Sequence, residues 1–189
     1  MKALRLPRSG IIPAAAAISG YLHKLSMRLA CRRNFSPANP ARACFTGPPD
    51  LSKKIIAFVD GASRGNPGPA SLGVVIQDES GKTLKTLSAR IGTATNNIAE
   101  YYALIFALQE AIIMRADELQ VYTDSELVAR QFSGEYKIKE ASLQQLFLMV
   151  THLKKGFKKL AVSHVPREKN KLADEAANQA LDSSFLQIG

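Results

Sequence analysis

The chain has 189 residues and a formal net charge of +9, a length that suits one domain plus an appendage. The charge is unevenly placed: the first 49 residues hold 8 of the 25 Lys and Arg and none of the 16 Asp and Glu, leaving 17 basic against 16 acidic residues beyond them. The remainder is therefore near neutral, which argues against a basic fold built for nucleic acid. Both cysteines, Cys31 and Cys44, lie in the basic segment, which argues against a disulfide scaffold or a Cys-based zinc site in the folded part. No apolar run approaches the roughly 18 residues needed to span a membrane.

Taken in chain order, residues 1–50 are a basic tail, free of acids up to Asp50. They read as an organelle transit peptide, as a disordered arm that adds affinity for a polyanion, or as an upstream extension with the working start at Met27 or later. With only Tyr21, Phe35 and Phe45 as aromatic residues, an independently folded RNA-binding module is disfavoured. Ser36–Pro49 is rich in Pro, Ala and Gly and reads as linker. Residues 51–189 form the folded unit, long enough to bury roughly two thirds of its unfolded surface.

Within that unit, Lys54–Gly61 reads as a strand, followed by the turn-dense Ala62–Pro69. Ser71–Gln77 and Thr83–Ile91 read as two further strands joined by a hairpin turn at Asp78-Glu79-Ser80-Gly81. From Asn97 to about Met114, apolar residues recur at helical spacing (Ile98, Tyr101, Tyr102, Leu104, Ile105, Leu108, Ile112) and predict a long helix. Glu118–Thr123 predicts a fourth strand and Asp124–Phe132 a short helix. After the loop Gly134–Lys139 come an amphipathic helix over Ser142–Lys155, a fifth strand over Leu160–His164, and a closing helix over Lys171–Asp182. The pattern predicts an α/β fold: a five-stranded mixed sheet, three strands antiparallel and two parallel, flanked by helices.

Asp60 and Asp124 each close an apolar strand, so two carboxylates are delivered side by side at strand ends. Glu100 and Asp174 sit near the starts of helices that could lean over the same edge. Crowded carboxylates repel, and a divalent metal is the usual relief, so the pattern points to a metal-dependent acid cluster of the kind that handles phosphodiesters. Each acid also has a plain structural explanation. Glu100 could support capping by Thr95 or a neighbouring Asn, Asp124 could cap the helix after it, and Asp174 could be an exposed first-turn acid. Asp60 opens a Gly/Pro turn whose glycines, Gly61 among them, would let backbone approach a ligand, with Asn66 as a donor to phosphate or sugar.

Order and flanking residues together resemble the type 1 ribonucleases H. The family's Asp-Gly-x-x-x-x-Asn-Pro-Gly loop matches Asp60–Gly68, and its Thr-x-Asn-x-x-Glu matches Thr95–Glu100. Its Thr-Asp-Ser matches Thr123-Asp124-Ser125, and its Asn-x-x-Ala-Asp matches Asn170–Asp174. The resemblance covers about Lys54 to Asp182. It implies endonucleolytic cleavage of the RNA strand of an RNA–DNA hybrid with two Mg²⁺, or Mn²⁺ as a substitute. Asp60 would bridge both ions, Glu100 and Asp124 would complete one site, and Asp174 the other. His164, ten residues before Asp174, matches a family histidine that assists proton transfer or product release, although Val165–Lys169 lacks the glycine of the best-known bacterial loops. Gly61, Asn66, Thr95, Asn96, Asn97, Ser125 and Asn170 would contact the hybrid.

The chain also departs from the family. The basic, Trp-containing protrusion of many members is reduced to Gly134–Lys139, and there is no Trp anywhere. The rival readings are another nuclease of the same superfold, a catalytically silent hybrid-binding module, and a generic α/β domain whose acids are all caps. The expectations are a monomer with no membrane association, cytoplasmic, or in a mitochondrion or chloroplast if residues 1–50 are a transit peptide.

Overall fold

The computed structural model describes residues 53–183, so the basic segment 1–50 lies outside the described residues. Three strands meander first: β1 (Lys54–Ser63), β2 (Gly68–Gln77) and β3 (Thr83–Ala94). Each pairs antiparallel with the next, with Val59 opposite Val74 and Val74 opposite Leu87. Helix α1 (Asn96–Ile113) then carries the chain across to β4 (Glu118–Thr123), which lies parallel to β1 with Val59 in register with Thr123. Helices α2 (Glu126–Ser133) and α3 (Ala141–Lys154) lead to β5 (Lys159–His164), parallel to β4, and α4 (Lys171–Asp182) closes the fold. The sheet order is β3-β2-β1-β4-β5. This is the mixed five-stranded sheet that the order of strands and helices in the sequence predicts.

The two faces of the sheet are packed differently. Ile55, Ala57 and Val59 of β1, Leu72, Val74 and Ile76 of β2, and Val121 of β4 are fully buried in one core with Leu104 and Leu108 of α1. Their strand neighbours point the other way, as the pleat requires. On β2 these are Ser71 and Gly73, which meet α4: the Ser71 hydroxyl donates to the Ala177 carbonyl at 2.6 Å. A Cβ added at Gly73 would lie 2.2 Å from the Ala173 carbonyl oxygen, so α4 rests directly on the β2 backbone. Among the described residues no helix is long and apolar enough to cross a membrane.

The expected boundaries shift where pairing outruns the turn signals. Ser63 still pairs with Ala70, so β1 and β2 extend into the stretch expected to be turn, leaving Arg64–Pro67 as the connection. The loop is closed by Arg64 N–H donating to the Pro69 carbonyl at 2.9 Å. It is so tight that a Cβ at Gly68 would lie 2.1 Å from the Arg64 carbonyl oxygen. β3 likewise runs on to Ala94, opposite Gly68, because β2 starts early enough to pair with it.

Candidate active site

Asp60 and Asp124 come together through register. Val59 pairs with Thr123, so the next residues along two parallel strands are both acids. They share a face of the sheet, since Phe58 and Tyr122, two positions back, stack with ring centroids 5.2 Å apart. Glu100 arrives from α1, and a single residue lets it arrive: a Cβ at Gly61 would lie 2.2 Å from the Glu100 backbone nitrogen and 2.3 Å from the Ala99 carbonyl carbon. The glycine expected to admit a ligand therefore admits a helix instead. Asp60, Glu100 and Asp124 each offer a carboxylate oxygen, and these oxygens lie within 4.8 Å of one another.

The capping explanations do not account for this grouping. Thr95 is the N-cap of α1, accepting from the Ile98 N–H at 3.4 Å, and the first turn of that helix contains no acid. Glu100 lies beyond it and is 5% exposed. The cap of α2 is Ser125, which accepts from the Val128 N–H at 3.5 Å, and not Asp124. That assigns the Ser125 side chain to the helix start. Asp174 does lie in the first turn of α4, half-buried, and the Arg167 guanidinium donates to its Oδ1 at 2.6 Å.

Electrostatics follow from burial and crowding. Burial, reinforced by the charges of Asp124 and Asp174, pushes the Asp60 carboxyl up to about 7, while Arg167 partly offsets this. Burial also raises Glu100 well above the usual carboxylate range, with Asp60 and Asp124 adding to it. Hydrogen bonds from the Gly61 backbone and the Asn96 side chain pull Glu100 part of the way back. Asn66 Oδ1 accepts from the Asn96 N–H at 3.4 Å, tying the β1–β2 loop to the start of α1, where Asn97 is half-buried. Asn170 is 1% exposed and donates from Nδ2 both to the Val59 carbonyl at 2.9 Å and to Asp124 Oδ1 at 3.0 Å.

The sequence profile of the reverse-transcriptase-like family matches residues 58–180. The ribonuclease HI of Halobacterium salinarum is 40% identical over 136 residues, which cover 72% of this chain and 68% of that protein. The chain belongs to the type 1 ribonuclease H family. The crystal structure of the Halobacterium salinarum ribonuclease H1 superposes with a TM-score of 0.67 at 41% identity, covering 68% of this chain and 98% of that one. LC11 ribonuclease H1, crystallised in complex with an RNA/DNA hybrid, superposes with a TM-score of 0.65 at 48% identity, covering 68% of this chain and 96% of that one.

The ribonuclease H site in this chain fits a hard divalent cation. All its donors are carboxylate oxygens, and Glu100 Oε2 is buried with no hydrogen-bond partner among the described residues, which suits a positive ligand. His164 is not brought to these carboxylates. On β5, Leu160 and Val162 pack against the α1-side core, so the pleat sends His164 to that face and away from the face of Asp60 and Asp124. It lines a shallow surface depression of about 350 Å³ with Glu126, Arg130 and Glu135. The cation beside the site is Arg167, which sequence reasoning passes over. It sits on a single 3-10 turn, Arg167–Lys169, and no helical spacing links it to Asp174.

Proposed function

We propose that this chain hydrolyses the RNA strand of RNA–DNA hybrids endonucleolytically, with residues 51–189 as the catalytic domain. The observation that carries the reading is the convergence of Asp60, Glu100 and Asp124 around a buried carboxylate oxygen that no described residue satisfies. Asp60, Glu100 and Asp124 would hold Mg²⁺ or Mn²⁺, and Asp174 would join Asp60 in holding a second ion. Two such ions, when bound, supply an activated water and stabilise the leaving 3′ oxygen.

The protein's own groups supply the rest. The Gly61 backbone and the Asn96 side chain orient Glu100, which would meet the ribose 2′-hydroxyl by which RNA is told from DNA. Asn66, Asn96 and Asn97, gathered at the start of α1, form the rim for the hybrid backbones. Thr95 shapes that rim by capping the helix. The role expected of His164 would pass to Arg167, whose charge stands against Asp174 and would pair with a phosphate as product departs.

The test is cleavage of an end-labelled RNA–DNA hybrid in Mg²⁺, with duplex DNA and duplex RNA as controls and Asp60→Asn as the inactive comparison. RNA-strand cleavage by the wild type alone is the expected result. Hybrid binding without turnover in either Mg²⁺ or Mn²⁺ would replace this reading with a silent binding module.

A further inference from the structure

We propose that Asn170 is a positioning residue for the carboxylate cluster rather than a contact for the hybrid, an inference that rests on the metal-dependent reading of the site. Both N–H bonds of its side-chain amide are spent inside the protein, one on the Val59 carbonyl at 2.9 Å and one on Asp124 Oδ1 at 3.0 Å. Both partners are acceptors, so the amide has one allowed orientation: a flipped group would set oxygen against oxygen. At 1% exposure it presents no surface to a substrate. Among the described residues its buried Oδ1 has no partner, and its two donated bonds hold the amide in place.

The backbone of the same residue completes the link. The Asn170 carbonyl accepts from the Ala173 and Asp174 N–H groups, each at 3.1 Å, and so starts α4. One residue thereby ties together three separate carboxylate carriers: the strand position before Asp60, the Asp124 side chain, and the first turn that holds Asp174. Donation to Oδ1 fixes the rotation of the Asp124 carboxylate and directs its other oxygen. Three elements far apart in sequence are spaced by one rigid amide, which is how outer groups orient metal ligands. The docking of α4 does not depend on that amide, because Gly73 and Ser71 seat the helix on β2.

The experiment measures Mn²⁺ affinity by calorimetry and hybrid affinity in EDTA for wild type and Asn170→Ala. The expected result is Mn²⁺ affinity weakened about tenfold or more with hybrid affinity unchanged. Weakened hybrid affinity with unchanged Mn²⁺ affinity would make Asn170 a substrate contact and overturn the proposal. No change in either would reduce Asn170 to a helix start, which overturns it as well. Should Asn170→Ala fail to fold, the side-chain amide resonances of Asn170 in the wild type serve instead. They should shift on adding Mg²⁺ and stay fixed on adding hybrid in EDTA; the reverse pattern overturns the proposal. A wild type that binds no divalent ion and cleaves no hybrid refutes the proposed function itself, an outcome distinct from these.

Discussion

Burial and the charges of Asp124 and Asp174 push the Asp60 carboxyl up to about 7 from an ordinary value of 3.8. Without metal, the folded protein therefore holds this proton more tightly than the unfolded chain does. The sign follows: the stability Asp60 contributes is full below about pH 4 and is lost as pH rises toward 7. At about 1.36 kcal/mol per pKa unit, the span from 3.8 to about 7 corresponds to roughly 4 kcal/mol. Asp60→Asn removes the titration while keeping the shape of the side chain. In EDTA the variant should be more stable than wild type above pH 7, by up to roughly 4 kcal/mol, with the difference shrinking toward zero near pH 4. Urea unfolding followed by circular dichroism at pH 4, 5.5, 7 and 8.5 reads this directly. If the trio holds the ion as proposed, Mg²⁺ should then stabilise wild type at neutral pH and leave Asp60→Asn unmoved. A stability difference that is independent of pH, or largest at pH 4, would refute the account of a site strained by its own charge.

Gly61→Ala drives a Cβ into the backbone of α1, which has no flexible side chain to yield, so a loss of about 3 kcal/mol and weaker Mn²⁺ binding are expected; an unchanged thermal midpoint would contradict it. Tyr101→Phe deletes the buried 2.7 Å hydrogen bond to Gln131 Oε1 that joins α1 to α2. It should cost about 1–3 kcal/mol in urea unfolding, with cleavage preserved at 25 °C. Paired substitutions separate Arg167 from His164. Arg167→Ala should lower hybrid turnover about tenfold or more, as loss of a charged hydrogen bond does, whereas His164→Ala should stay within about twofold. The opposite ranking in steady-state kinetics would restore His164 to the role the family resemblance gives it.

Period and punctuation made the elements legible. The apolar run Ile55–Val59 marks β1, the helical spacing from Ile98 to Ile112 marks α1, and Glu118–Thr123 and Lys171–Asp182 appear in the structure with the boundaries their patterns predict. The four acids could be singled out because each stands in its own short motif, and Asp60 and Asp124 lie side by side because both follow strands that pair in parallel. Strand and helix ends were less legible, since Ser63, Gly68 and Ala94 join the sheet through pairing with distant partners rather than through local preference.

Sequence alone thus determined the sheet, the helices and the identity of the carboxylates, for these depend on local periodicity and on residues that carry their chemistry with them. Tertiary structure decided what the neighbouring residues do. Gly61 looked like an opening for a ligand and proves to be the gap through which α1 reaches β1. Asn170 looked like a surface contact and is buried between Val59 and Asp124. The pleat of β5 turns His164 to the far face of the sheet, while a 3-10 turn brings Arg167 to Asp174. Contacts between residues tens of positions apart leave no periodic trace in the chain, so only the packed molecule reveals them.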